Sequence, residues 1–276
     1  MTKRSLFPLF AVLFARVVAL VTVLISVGES AEISFSMVEF KDKTHLYYHE
    51  LLTEALSAKG HHLSILSQGD VPQKRIVNLI RSGGISLHWF LKADSRERLL
   101  VPIRVGLTGG LIGQRVFFIP AGAQEDFDGV STLAELQRLE KVGAFGAGWF
   151  DAKVWRANNL RFSVVDGDWR RIYKMLERGS RNIDYFSRGV TEILAEAKIY
   201  PYLAIEKRLL LIYDRDFYFY LAPSQRHLQP VLEEALKMAK SSGLMARLIK
   251  KHWGEDLEKL RLKRRIKILL KTPLGS

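Results

Sequence analysis

The order of apolar, polar and turn residues predicts an α/β protein with two lobes. Strand-like and helix-like segments alternate through residues 33–90, the mark of a parallel sheet covered by helices. A second alternating unit follows over residues 115–221. The 276-residue length suffices for two modest cores. The composition, 48% hydrophobic and 26% charged, is that of a folded chain.

The first unit opens with Ile33–Val38, an alternating run with β-branched and aromatic members, which reads as a strand. His45–Lys59 carries apolar residues at helical spacing and stops at Gly60, a helix-ending signal. His62–Leu66 is a second strand. Pro72–Arg81 is a helix, with Pro72 in its first turn and Gly83-Gly84 beyond its end. Ile85–Phe90 is a third strand.

The second unit begins with the strand Arg115–Ile119. Thr132–Leu139 is a helix entered through Ser131 and Thr132, followed by the strand Val142–Phe145. The helix Phe150–Asn158, the strand Phe162–Val165 and the helix Trp169–Glu177 come next, then the strand Ile183–Phe186 and the helix Val190–Ala197. Leu209–Tyr213 and Phe217–Leu221 are strands. Leu228–Ser241 is helical, and so is the stretch from Leu244 to about Leu270.

Residues 1–31 read as an address. Lys3 and Arg4 precede two short apolar runs, and the small residues around Gly28–Ala31 suit cleavage of a secretory signal peptide. An uncleaved anchor is the rival reading, but Arg16 interrupts the length that a spanning helix needs. Either way the remainder is expected outside the cytoplasm, in the periplasm. The absence of cysteine rules out disulfides, thiolate metal sites and a cysteine nucleophile.

The net charge is +13. An exported chain does not meet the chromosome, so nucleic acid is not an expected partner. Residues 245–271 alone hold ten Lys and Arg against three Asp and Glu. Leu257, Leu260, Ile266, Leu269 and Leu270 are expected to pack this stretch on the first lobe, with its cations facing water.

Several segments carry a family likeness. They are Tyr47–Leu52 on the first helix, Ser95-Arg96-Glu97-Arg98 after the third strand, Val142–Gly146, and Arg181–Phe186 running on to Ser187-Arg188-Gly189. In this order they resemble the bacterial extracellular solute-binding proteins of family 3, and within them a proteobacterial subgroup of substrate-binding-domain proteins. The resemblance implies the two-lobed type II periplasmic-binding-protein fold, two α/β lobes joined by paired hinge strands. Lobe 1 would hold residues 32–117 and 218–276, and lobe 2 residues 118–217. Arg115–Ile119 and Phe217–Leu221 would be the crossing strands.

The resemblance also implies a ligand between the lobes. Arg98 occupies the arginine of the family's T-x-E-R element, which clamps a carboxylate. Gly148 and Trp149 stand where the family places hydroxyl side chains, and glycine there lets backbone N–H groups approach a ligand. Arg188 stands near the place of the acidic residue that meets an amino acid's ammonium group. Two arginines favour a ligand with anionic ends. Glu39, Phe40 and Trp89 lie at strand ends, where ligands of open α/β sheets bind.

The expected function is capture of a small anionic or carboxylate-bearing molecule, for a permease or a sensor, by a monomer without cofactor. His61, His62 and His88 lack metal-ligand spacing, and no metal is expected. Two alternatives stand beside this reading. One is an enzyme on the same fold, resembling dehydratases of cyclic acids, with Glu39 or Glu192 as its acid. The other is surface docking through the basic C-terminal helix.

Overall fold

The computed structural model describes residues 32–40, 43–69, 71, 73–92 and 94–273. The expected leader at residues 1–31 and Pro72 lie outside the described residues. No helix among the described residues is long and apolar enough to cross a membrane.

In chain order the elements are β1 (Glu32–Val38), α1 (Leu46–Ser57), β2 (His62–Gln68), α2 (Gln73–Ser82), β3 (Leu87–Leu91), α3 (Asp94–Glu97) and β4 (Val101–Ile103). Then come β5 (Gln114–Pro120), α4 (Leu133–Arg138), β6 (Gly143–Gly146), α5 (Phe150–Ala157), β7 (Phe162–Val165), α6 (Arg171–Glu177) and β8 (Tyr185–Gly189). The chain closes with α7 (Ile193–Ile199), β9 (Leu203–Ile205), β10 (Leu209–Ile212), β11 (Phe217–Leu221), α8 (Gln229–Ser241), α9 (Leu244–Lys259) and β12 (Ile266–Leu269).

In the first lobe β1 pairs in parallel with β2, and β11 lies between β3 and β4, antiparallel to both. Ser86 stitches the two small sheets together. Its N–H donates to Ser36 at 2.8 Å, and its carbonyl accepts from Ala222 at 2.8 Å. Tyr47, Leu51, Leu52, Ala55 and Leu56 form one stripe along α1, and they pack with Leu236 of α8 and Leu248 of α9. On the other face Ile76 and Ile80 of α2 meet Val38, Phe90 and Tyr220.

The second lobe is one larger sheet in the order β12-β10-β5-β8-β6-β7, with β9 also pairing with β5. Phe145, Val154 and Trp155 build the core on one face. Ile172, Tyr173, Leu176 and Ile193 build it on the other. α4 starts with a reciprocal cap between Thr132 and Glu135, as the Ser131-Thr132 pair predicts.

The lobe boundaries differ from those expected. β5 and β11 do not pair with each other; β5 belongs wholly to the second sheet and β11 to the first. The crossing segments are instead residues 104–113 and 213–216. Tyr213 N–H donates to the Gly113 carbonyl at 3.1 Å, and Leu107 N–H donates to the Phe217 carbonyl at 3.1 Å. A Cβ on Gly113 would lie 1.9 Å from the Tyr213 oxygen, so only glycine permits this approach.

The C-terminal stretch is the larger correction. Its helix ends at Lys259, and residues 266–269 form a strand parallel to β10 in the second lobe. Arg261 adopts a left-handed φ of 50° and breaks the helix. Beyond it Ile266 and Ile268 set a period of two. Leu257 and Leu260 pack on the second lobe rather than the first, as do Ile266, Ile268 and Leu270, while Leu269 is exposed. The chain therefore crosses between the lobes a third time, within α9, whose Leu248 and Trp253 pack on the first lobe and whose Leu257 packs on the second.

Candidate functional site

A cleft of about 780 Å³ lies where the crossings meet, lined by both lobes. It sits beyond the carboxyl ends of β3, β6 and β8, where open α/β sheets present their ligand sites.

From the first lobe come Phe40, Trp89 and Arg96. Trp89 is buried, stacked on Tyr48 at 4.3 Å and on His88 at 4.2 Å, and Phe40 meets its edge at 5.9 Å. It is therefore a fixed wall. Arg96 Nη1 donates to the Leu91 carbonyl at 2.7 Å, and its guanidinium lies 5.0 Å from the Phe90 ring.

From the second lobe the turn after β6 brings Gly148, Trp149 and Asp151. Gly148 has a left-handed φ of 79°. Trp149 folds back over the strand end, and a Cβ on Gly146 would lie 2.7 Å from its Nε1.

Arg188, at the end of β8, lies against two tryptophans. Its guanidinium carbon is 5.1 Å from the Trp149 ring centre and 4.9 Å from that of Trp169. Its Nε donates to both oxygens of Glu196, at 3.0 and 2.8 Å. Nη2 reaches Glu192 at 3.0 Å and Glu196 as well. Burial opposes the charge of Arg188, but Glu192 and Glu196 outweigh it and raise its pKa above the ordinary arginine value.

Arg115 repeats the arrangement at the start of β5. Its Nε is 2.9 Å from Asp151 Oδ1 and donates to Tyr213 Oη at 2.9 Å. The Tyr213 hydroxyl in turn donates to Asp151 at 3.0 Å. Burial would raise the Glu192 pKa, yet Arg188 and Arg115 hold it below the usual carboxylate value. Glu192 is therefore ionised at neutral pH and holds no proton to donate.

The lining carries six cations (Lys92, Arg96, Arg115, Lys153, Arg188, Arg215) against two acids, Asp151 and Glu192. Both acids are ion-paired to arginine. Lys92, Arg96 and Lys153 form no ion pair among the described residues.

Of the residues singled out in the sequence, Phe40, Trp89, Gly148, Trp149 and Arg188 line the cleft. Arg98 does not. It is exposed at the end of α3, its N–H donating to the Asp94 carbonyl at 3.2 Å. Two residues along a helix turn the side chain about 200°, so Arg96 faces the cleft and Arg98 faces away. Glu39 is exposed and also outside the lining. Sequence reasoning missed Arg96, Arg115, Asp151 and Trp169. Only Arg96, inside the quoted Ser95–Arg98 segment, had a signal that could have found it.

No family model matches the chain, and no curated protein matches it in sequence. Solved structures match its shape. The fold is that of the two-lobed periplasmic binding proteins. A putative binding component of an ABC transporter from Wolinella succinogenes, complexed with lysine, is 13% identical over 80% of this chain and 95% of its own, with a TM-score of 0.55. A mutant of ArgBP from T. maritima is 15% identical over 81% of this chain and 96% of its own, with a TM-score of 0.52. A Salmonella typhimurium periplasmic binding protein of high arginine specificity is 14% identical over 80% of this chain and 99% of its own, with a TM-score of 0.51.

Proposed function

We propose that this chain is an exported solute-binding protein. It captures a small carboxylate-bearing molecule between its lobes and presents it to a membrane permease or a sensor. The lobes close over the ligand by motion about the crossing segments. Residues 1–31 would direct export to the periplasm, and the protein would work as a monomer.

The observation that carries the ligand class is the charge of the cleft. Among the described residues both acids of the lining are committed to arginines, while three cations face the cleft without an ion pair. The arginine- and lysine-binding proteins of similar fold hold cationic ligands; here such a ligand would meet a cationic surface with no spare carboxylate among the described residues. An anion meets Arg96, Lys92 and Lys153. The binding reading is supported over the enzyme reading by the two acids nominated for catalysis: Glu192 is paired with arginine, and Glu39 lies outside the lining.

The test is a thermal-shift panel of amino acids, dicarboxylates and aromatic acids. The proposal expects stabilisation by one or more anions. Stabilisation by arginine or lysine alone would overturn the ligand class.

A further inference from the structure

His45 and His49 stand one helical turn apart at the start of α1, so their imidazoles share a face. Their ring centroids are 4.9 Å apart. Glu39 immediately follows β1, and one donor atom from each of these three residues lies within 4.8 Å of the others. His45 and His49 are 7% and 8% exposed, whereas Glu39 is open to solvent. The cluster is thus walled by protein on the imidazole side and reachable on the carboxylate side.

His49 Nε2 is buried and has no hydrogen-bond partner. Buried ring nitrogens are normally satisfied. An unmatched nitrogen on one of two neighbouring imidazoles is a donor that a cation could use.

We propose that Glu39, His45 and His49 form a binding site for a divalent transition-metal cation, with Zn²⁺ the best-matched ion. Two imidazoles and one carboxylate suit zinc, whereas Mg²⁺ and Ca²⁺ prefer oxygen alone. Three protein ligands leave a fourth position for water or for an atom of a solute.

The site is coupled to the cleft. His45 Nδ1 accepts from the Phe40 N–H at 2.9 Å, and Phe40 and Thr44 both line the cleft. Drawing His45 into the coordination shell exchanges that hydrogen bond for a bond to metal. The Phe40 N–H then loses its partner, which couples the first-lobe lip of the cleft to metal occupancy.

The experiment is calorimetric titration of the chelator-treated full chain with ZnCl₂, with MgCl₂ as the oxygen-preferring control. The expected result is one equivalent of zinc bound and no magnesium response. Glu39→Gln, His45→Gln and His49→Gln should each weaken zinc by more than the about 10–100-fold typical of losing an outer-shell partner. His227→Gln, at an exposed position away from the cluster, should leave binding unchanged. Metal-free melting curves establish that each variant is folded, and the exposed Glu39→Gln change keeps the test decisive if a histidine variant does not fold. Absence of zinc binding overturns the proposal, and so does binding that Glu39→Gln leaves unchanged. The titration needs no cleft ligand, so its failure leaves the solute-binding reading untouched.

Discussion

Asp216 accepts hydrogen bonds from both the backbone N–H and the hydroxyl of Thr108, at 3.0 and 2.6 Å. The same carboxylate accepts from the Gly110 N–H at 3.0 Å. These bonds tie one crossing segment to the other. Thr108→Val removes one hydrogen bond to a charged group and should destabilise the protein by about 1.5–3 kcal/mol in urea unfolding. Gly113→Ala, which forces a Cβ into the Tyr213 carbonyl, should be destabilising as well. Unchanged midpoints in both variants would remove the crossing segments from the account of stability.

Arg96 and Arg98 make opposite predictions. For whichever acid stabilises the protein, Arg96→Ala should weaken binding by about 1.5–3 kcal/mol, the range for hydrogen bonds to charged groups. Arg98→Ala should leave affinity unchanged. Calorimetric titration of the two variants with that acid checks both, and a loss confined to Arg98→Ala would reverse the assignment.

Arg188 is a buried partner of Glu196 and a support for Trp149 and Trp169. Arg188→Met strands the Glu196 carboxylate and should destabilise by about 3–5 kcal/mol. The double change Arg188→Met with Glu196→Met should recover much of that loss. Equal destabilisation by the single and double variants would show that the arginine matters only through its packing.

The cap of α4 sets an acid-side signature. Hydrogen bonds from Ser131 and Thr132 lower the Glu135 pKa to about 2. A carboxylate depressed on folding contributes stability above its unfolded pKa, and that contribution is lost as pH falls through the folded value. The stability difference between the wild-type protein and Glu135→Gln should therefore be full at neutral pH and fade between about pH 4.5 and pH 2. A difference that stays constant through that window would dissociate the cap from the titration.

Periodicity made most of the α/β order legible, because each buried face imposes its own spacing; Ile33, Phe35 and Met37 alternate inward, and Tyr47, Leu51 and Leu52 follow the helical stripe. It did not reveal where the C-terminal helix stops. Leu257 and Leu260 continue a helical rhythm, and the break falls at Arg261, a residue type that gives no warning of a left-handed φ. In the site, the aromatic residues at strand ends were readable from strand position. The choice of Arg96 over Arg98 was not, since it depends on the phase of the four-residue helix α3. The ion pairs of Arg115 with Asp151 and Arg188 with Glu196 join residues 36 and 8 positions apart, and no local pattern announces either.

The third crossing also bears on the order in which the molecule can be assembled. The second-lobe strand β10 finds its neighbour β12 only at residues 266–269, and the middle strand of the first lobe, β11, arrives only at residues 217–221. The first lobe completes its strands only when residue 221 is available, and the second lobe only when β12 is. Such long-range pairing slows folding, because distant segments must meet before either gains. The chain emerging from synthesis therefore lacks a complete second-lobe sheet until nearly its last residues are available.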